Sequence, residues 1–212
     1  MASPAKTTKR RGRRQGEPVS RDAVLAAAKQ RFATQGYEKT TLREIARDAH
    51  VDPSMLLYLF GSKADLFRES LRVILDPQAL ASAIEGGTGD DPDIGTRMVR
   101  TYLRIWELPE SGPTMVAMLQ SATSNSDAHE AFRGFMQNYV LTAVSGVLGG
   151  GEQARLRAML AASQLVGVAV LRYVMKVDPL ASLSGDELVR LIAPTVTRYL
   201  TADASELGLP DP

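Results

Sequence analysis

Between positions 41 and 63 the chain gathers side chains suited to gripping and reading a nucleic acid. Arg43 can offer its guanidinium fork to a guanine, Ser54 can donate or accept at a base edge, and Pro53 or Met55 can touch a thymine methyl. Lys63 follows Gly61-Ser62 at what reads as a helix start, where a cation beside free backbone amides makes a phosphate grip. Thr41, Leu57 and Tyr58 extend the same surface toward the groove and its walls. Ahead of them stand Arg10, Arg11, Arg13 and Arg14, in a segment with no acidic residue before Glu17. Such a tail is an electrostatic footprint for a polyanion, and it is equally compatible with a solubilising leader.

Other chemistries find little support. The absence of cysteine excludes disulfides, thiolate metal sites and a cysteine nucleophile, and the two histidines, His50 and His129, stand far apart. There is no activated nucleophile and no glycine-rich phosphate loop, so neither an enzyme nor a cofactor or metal is expected. No run of eighteen apolar residues and no secretory leader is present, which predicts a cytoplasmic chain without a membrane partner.

Those residues need helices to present them. Ser20 can cap a helix over about 21–35, in which Val24, Ala28 and Phe32 recur at fourfold spacing before Gly36. Thr41 with Glu44 is a capping-box pattern opening a short helix with Leu42, Ile45, Ala46 and Ala49 inward. Asp52-Pro53 is an N-cap followed by the favoured first helical residue, so a third helix runs to about Phe60 with Val51, Leu56 and Phe60 inward. Two helices joined this tightly form a helix-turn-helix. Ser62 with Asp65 caps a fourth helix, carrying Leu66, Phe67, Leu71 and Ile74 until Asp76-Pro77 interrupts it.

Beyond the loop Gly86–Pro92, helical periodicity returns over about 93–107, 113–123, 127–148, 152–176 and 185–202, and no alternating strand pattern competes. The expected fold is all-α, with about nine or ten helices. It divides into a basic tail at 1–17, a three-helix helix-turn-helix DNA-binding domain at 18–75, and a helical effector-binding and dimerisation domain at 76–212. Charge follows that division. Up to Leu75 there are 15 Lys/Arg against 8 Asp/Glu (+7), and after it 10 against 16 (−6), within a net charge of +1. A basic end on an acidic body suits an anionic partner at the front.

The stretches Thr41-Leu42-Arg43-Glu44-Ile45-Ala46, Val51-Asp52-Pro53-Ser54 and Phe60-Gly61-Ser62-Lys63 with Leu66-Phe67 resemble the N-terminal domain of the TetR/AcrR family. A later stretch, Ala161-Ala162-Ser163-Gln164-Leu165-Val166-Gly167 through Arg172-Tyr173-Val174, resembles the ligand-binding domain of an actinobacterial subgroup. The resemblance implies base reading by Arg43 and Pro53 to Met55, backbone contacts by Leu57 and Tyr58, and a phosphate contact by Lys63. Two positions depart from the family pattern. His50 stands where a glycine is usual; a non-glycine residue at positive φ is costly but tolerated by histidine, so a slightly altered turn is expected. Leu57 and Leu59 replace frequent polar aromatic residues, so Tyr58 could serve the backbone or simply pack.

In the second half, aromatic and methionine side chains concentrate at helical spacing. On spacing alone such a stripe packs a core. The resemblance instead implies a cavity for an unidentified small-molecule effector. Its expected lining is Tyr102, Trp106, Met115 and Leu119, then Phe132, Phe135, Met136 and Tyr139, with Gln164, Arg104 or Gln120 as polar handles. The last two long helices would pair two copies in a homodimer, with Ala158, Ala161, Ala162, Val166, Gly167 and Val170 allowing close approach. A double-stranded, palindromic operator follows, released when an effector near Trp106 and Phe135 tilts the front domain through the fourth helix. The rival reading is a helical small-molecule-binding or scaffold protein whose tail meets nucleic acid non-specifically.

Overall fold

Side-chain caps mark where the front helices begin. In the computed structural model, which describes residues 20–86 and 93–210, α1 (Arg21–Lys39) opens with the Ala23 N–H donating to Ser20 Oγ at 3.3 Å. Gly36, at φ 73°, breaks its regular path, so that Tyr37 to Lys39 form a redirected last turn. In α2 (Leu42–Asp48) the capping box is complete: the Glu44 N–H donates to Thr41 Oγ1 at 3.2 Å and the Thr41 N–H to Glu44 Oε2 at 2.9 Å. Asp52 caps α3 (Pro53–Phe60), accepting from the Ser54 N–H at 2.8 Å, and Ser62 caps α4 (Lys63–Ile74), accepting from the Asp65 N–H at 3.0 Å. His50, in the turn between α2 and α3, has φ 54°, so it keeps the left-handed conformation that a glycine would adopt there.

The inward faces close on one cluster of rings. Phe32 and Phe67 meet edge-on at 5.0 Å and Tyr37 meets Phe67 edge-on at 5.2 Å, with Ile45, Leu56, Leu66 and Leu71 all essentially inaccessible around them. Arg31 ties α1 to α2, its guanidinium reaching Asp48 with one hydrogen bond of 2.9 Å and a second, shorter one.

Asp76-Pro77 does more than end α4. It starts α5 (Pro77–Glu85), the Asp76 side chain accepting from the Gln78 N–H at 2.9 Å. The expectation of a simple interruption is therefore corrected. Asp-Pro is a stop for the helix before it and a start for the one after it, because proline needs no N–H at a first helical position.

The body continues with α6 (Ile94–Glu107), α7 (Gly112–Ser124) and α8, which runs Ser126–Phe135, passes through a π-helical turn at Met136–Val140 and resumes over Leu141–Val147. Next come α9 (Gly151–Val174), whose last turn Val170–Val174 is also π-helical, α10 (Gly185–Thr201) and the short α11 (Ala204–Leu207). Among the described residues there is no strand. By length and composition α9 is apolar enough to cross a membrane; here Ala158, Ala161, Leu165 and Val168 bury one side of it against the body.

Two joints connect front to body: α1 packs along α7 and α4 along α8. At the first, the Tyr37 N–H, freed by the break at Gly36, donates to Ser121 Oγ at 3.0 Å in a buried position. In the body, α6 packs tightly on α10. A Cβ on Gly95 would stand 2.2 Å from Thr197 Oγ1 and 2.4 Å from the Ala193 carbonyl oxygen.

Candidate nucleic-acid interface and internal cavity

On α3, the buried Leu56 and Phe60 anchor one side, which leaves the other side free. Leu57 is 51% exposed and Tyr58 84%, an unusual outlay of apolar surface on a short helix. Pro53 and Ser54 are exposed beside them and Met55 is half-buried. Arg43 is exposed at the start of α2, with no hydrogen bond or ion pair to it among the described residues. Pro53, Ser54, Leu57 and Tyr58, at helical spacing, share the exposed face of α3.

Three candidates are already engaged within the chain. Ser54 Oγ donates to Asp52 Oδ1 at 2.6 Å, which leaves its lone pairs for a base donor; this hydroxyl and the backbone bond hold the Asp52 carboxyl below the usual carboxylate range. Thr41 Oγ1 donates to Glu44 Oε2 at 2.8 Å, so the residue serves the cap of α2 first. The Lys63 ammonium lies 4.3 Å from the centre of the Tyr37 ring and donates to the Glu38 carbonyl at 3.4 Å. Partial burial lowers the Lys63 pKa, with Asp127, Glu38 and Glu44 acting in the opposite direction. Its position is thereby set before any phosphate arrives. Arg10, Arg11, Arg13 and Arg14 lie outside the described residues.

Behind the joints lies a cavity of about 40 Å³. Tyr102 and Trp106 of α6 line it with Met115 and Leu119 of α7. Phe132, Phe135 and Met136 close it from α8. Seven of the nine proposed lining residues are thus brought together. Tyr139 and Gln164 are not. Tyr139 packs on Phe135, with ring centres 6.1 Å apart, but faces a surface cleft where Arg72 sits 4.4 Å over its ring. Gln164 sits half-buried on α9, where Ala162, Leu165 and Val166 line the cavity instead. Arg104 and Gln120 are exposed and also lie outside the lining.

Several lining residues had no signal strong enough to single them out: Leu75 at the end of α4, Leu80 on α5, Met98 on α6 and Val140 on the π-helical turn. Leu80 could have been found by reading Asp76-Pro77 as a helix start.

Comparison with known proteins follows this division of the molecule. Residues 24–70 match the family described as bacterial regulatory proteins, tetR family, and residues 93–200 match the tetracyclin repressor-like C-terminal domain. A TetR-family regulator from Streptomyces coelicolor is 34% identical, with 89% of this chain and 98% of that one aligned at a TM-score of 0.64. The chain belongs to the TetR family.

Other similarities are more distant or more local. GusR of Salmonella enterica shares the fold at 17% identity and a TM-score of 0.61, over 88% of this chain and all of that one (100%). The HTH-type transcriptional regulator HbdR of Aromatoleum is 37% identical over 70 residues, which is 32% of this chain and 31% of HbdR. BetI of Stenotrophomonas maltophilia is 28% identical over 122 residues, 50% of this chain and 62% of BetI. The chain therefore spans less than two thirds of these curated relatives. Within the TetR frame, residues 41–63 supply both the buried side and the exposed face of the helix-turn-helix, and the second family match runs from α6 to the last turn of α10.

Proposed function

We propose that this TetR-family chain is a sequence-specific DNA-binding transcriptional regulator, a repressor that leaves a palindromic operator when a small molecule enters the cavity. The observation that carries the reading is the free face of α3, with Leu57 and Tyr58 exposed beside Arg43 while the opposite face is locked into the ring cluster. A helix offered in this way enters a major groove with its first residues at base edges. Arg43, Pro53, Ser54 and Met55 read bases, Thr41, Leu57, Tyr58 and Lys63 hold the backbone, and the arginines at 10 to 14 add sequence-independent attraction. Residues 18–75 act as the reading head and 76–212 as the sensing and pairing body.

Pairing runs through α9 and α10. Of the large apolar side chains left exposed, Met159, Leu171, Met175, Val177 and Leu191 all lie on these helices or at the exit of α9. The small residues expected at such a seam, Ala158, Ala161 and Ala162, are buried against their own chain, so the larger side chains make the partner surface. A two-fold dimer sets its reading helices about 34–36 Å apart, one turn of DNA.

Switching follows from where the cavity sits. Leu75 ends α4 and Leu80 lies on α5, so both form part of its wall while Lys63 stands at the other end of α4. A molecule larger than the cavity displaces those walls, and the shift in operator affinity is bounded by its differential affinity for the two arrangements. The chain performs no catalysis in this reading and works in the cytoplasm.

Selection of bound duplexes from a random library at about 150 mM salt tests the reading, since the sequence-independent component is reduced there. One palindromic motif is expected; an unselected pool would reduce the helix-turn-helix to a structural unit.

A further inference from the structure

We infer that the cavity takes a small, uncharged, largely apolar molecule carrying one hydrogen-bond-accepting oxygen, such as a ketone, ester or lactone, held by the indole N–H of Trp106. The inference names the ligand chemistry of the effector site and so rests on the regulatory reading above.

Trp106 is 5% exposed and lines the cavity, and its Nε1 is buried with no hydrogen-bond partner. An unpaired buried donor costs about 1–3 kcal/mol, which a ligand acceptor recovers. One turn earlier on α6, Tyr102 also lines the cavity. A weak contact from the Trp106 N–H acts on its oxygen and opposes the larger effect of burial, but it falls short of full hydrogen-bond geometry, so the indole N–H stays without a proper partner. Burial holds the Tyr102 pKa far above its ordinary value, so it too offers a neutral O–H. Two neutral donors on one helix face converge on an oxygen.

The rest of the wall excludes charge. Apart from Tyr102, no lining residue is ionisable. A buried ion without a partner costs several kcal/mol, so carboxylates and ammonium ions are rejected. The charged groups in the neighbourhood are committed elsewhere: Tyr173 stacks on Trp106 at 5.3 Å and donates to Glu107 at 3.1 Å, and Arg172 pairs with Glu107 at 3.7 Å, and none of the three lines the cavity.

Size bounds the ligand as well. At about 40 Å³ the space is well below the roughly 150 Å³ cavity that takes a benzene ring. Met98, Met115 and Met136, unbranched and adaptable, are the side chains able to yield. Met136 also lies on the π-helical turn of α8, where the ladder is already locally rearranged.

Trp106 is the only tryptophan of the chain, so its emission reports this site alone. The full chain is titrated without DNA, by calorimetry and by emission, with cyclohexanone, methylcyclohexane, cyclohexanecarboxylate and cyclohexylammonium at roughly millimolar concentration, the range so small a molecule reaches. Cyclohexanone is expected to bind about 3- to 10-fold more tightly than methylcyclohexane, the worth of one net hydrogen bond. The two ions are expected to bind at least about 100-fold more weakly. In Trp106→Phe, followed by calorimetry, the preference for the ketone over the hydrocarbon disappears while the hydrocarbon still binds. Three results overturn the assignment: an ion binding as tightly as the ketone, a ketone preference that survives Trp106→Phe, or neither heat nor emission change with the ketone. Operator binding is measured separately. Ketone binding that leaves the operator complex intact supports the ligand chemistry and defeats the switching mechanism, so the two failures are distinguishable.

Discussion

The reading head and the sensing body are held by different means. In α1 to α4 every helix begins at a side-chain cap, Ser20, Thr41, Asp52 and Ser62 in turn, and three rings interlock at the centre. In the body, α5, α6, α8 and α10 are capped too, but α7 and α9 begin with no side-chain cap, α8 and α9 each carry a π-helical turn, and the walls enclose a cavity lined by three methionines. Local polar bonds fix geometry to tenths of an ångström, as a base-reading surface requires. Adaptable apolar packing leaves room to deform, as a sensor requires. Rigidity sits where DNA is read and compliance where a ligand enters.

The largest effects test whether the two halves nevertheless unfold together. Phe67 at the centre of the head and Phe135 in the cavity wall are both fully buried. Truncating either to alanine is expected to cost about 3–5 kcal/mol. Because α1 lies along α7 and α4 along α8, both variants are expected to lower one common urea midpoint, seen alike by circular dichroism and by Trp106 emission. A Phe67→Ala protein whose emission transition stays at the wild-type midpoint while its helix signal splits would show two independent units.

The next effect separates the halves by function. Arg43→Ala is expected to weaken the selected operator by about 5- to 150-fold, the worth of one bidentate base contact of about 1–3 kcal/mol, with little change on random duplex. Cyclohexanone affinity should not change, since Arg43 lies on the exposed face of the head. An equal loss on both DNAs would reassign Arg43 to the phosphate backbone.

How far each half could be read in advance follows from the same contrast. The caps of the head are signals a few residues long, and each is present as the sequence suggested. The turn at His50 was harder to read: an altered turn was expected, and the histidine instead keeps a positive φ. The cavity depends on which way long helices are rotated, which periodicity settles only while the helix stays regular. Trp106 and Phe135 fell on the expected side; Tyr139 packs on Phe135 yet stops short of the cavity, its ring covered by Arg72 at the surface, a distinction of one ring's depth that periodicity does not resolve. Of the small residues of α9, Ala158, Ala161 and Ala162 are inward while Gly167 is exposed, a choice between two apolar faces that composition alone leaves open.

A smaller effect concerns the joint between the halves. Ser121→Ala removes the hydroxyl that accepts from the buried Tyr37 N–H, at an expected cost of about 1–3 kcal/mol if that N–H stays unpaired. Ser121 lies on α7, which also carries Met115 and Leu119 of the cavity wall, and Tyr37 supports Lys63 through its ring. The bond therefore lies between cavity and phosphate grip. Loss of stability without change in ligand-induced operator release would restrict Ser121 to holding the joint. A release that needs more ligand would make the joint part of the switch.

The smallest effect concerns the one strained position in the head. His50 is exposed and sits at φ 54°, where a Cβ is disfavoured by about 1–2 kcal/mol for an ordinary residue and by less for histidine. Replacing it with glycine relieves that strain, but glycine also enlarges the unfolded ensemble by about 0.4–1 kcal/mol. His50→Gly is therefore expected to raise stability by at most about 1 kcal/mol in a urea titration and to leave operator affinity unchanged. The sign of the change carries the information. Stabilisation without loss of DNA binding means that the turn needs only its backbone shape, as the capped helices on either side imply. A drop in operator affinity in a protein that is no less stable would mean that the imidazole, standing just ahead of the reading helix, itself touches DNA, and the head would then read with its turn as well as with α3.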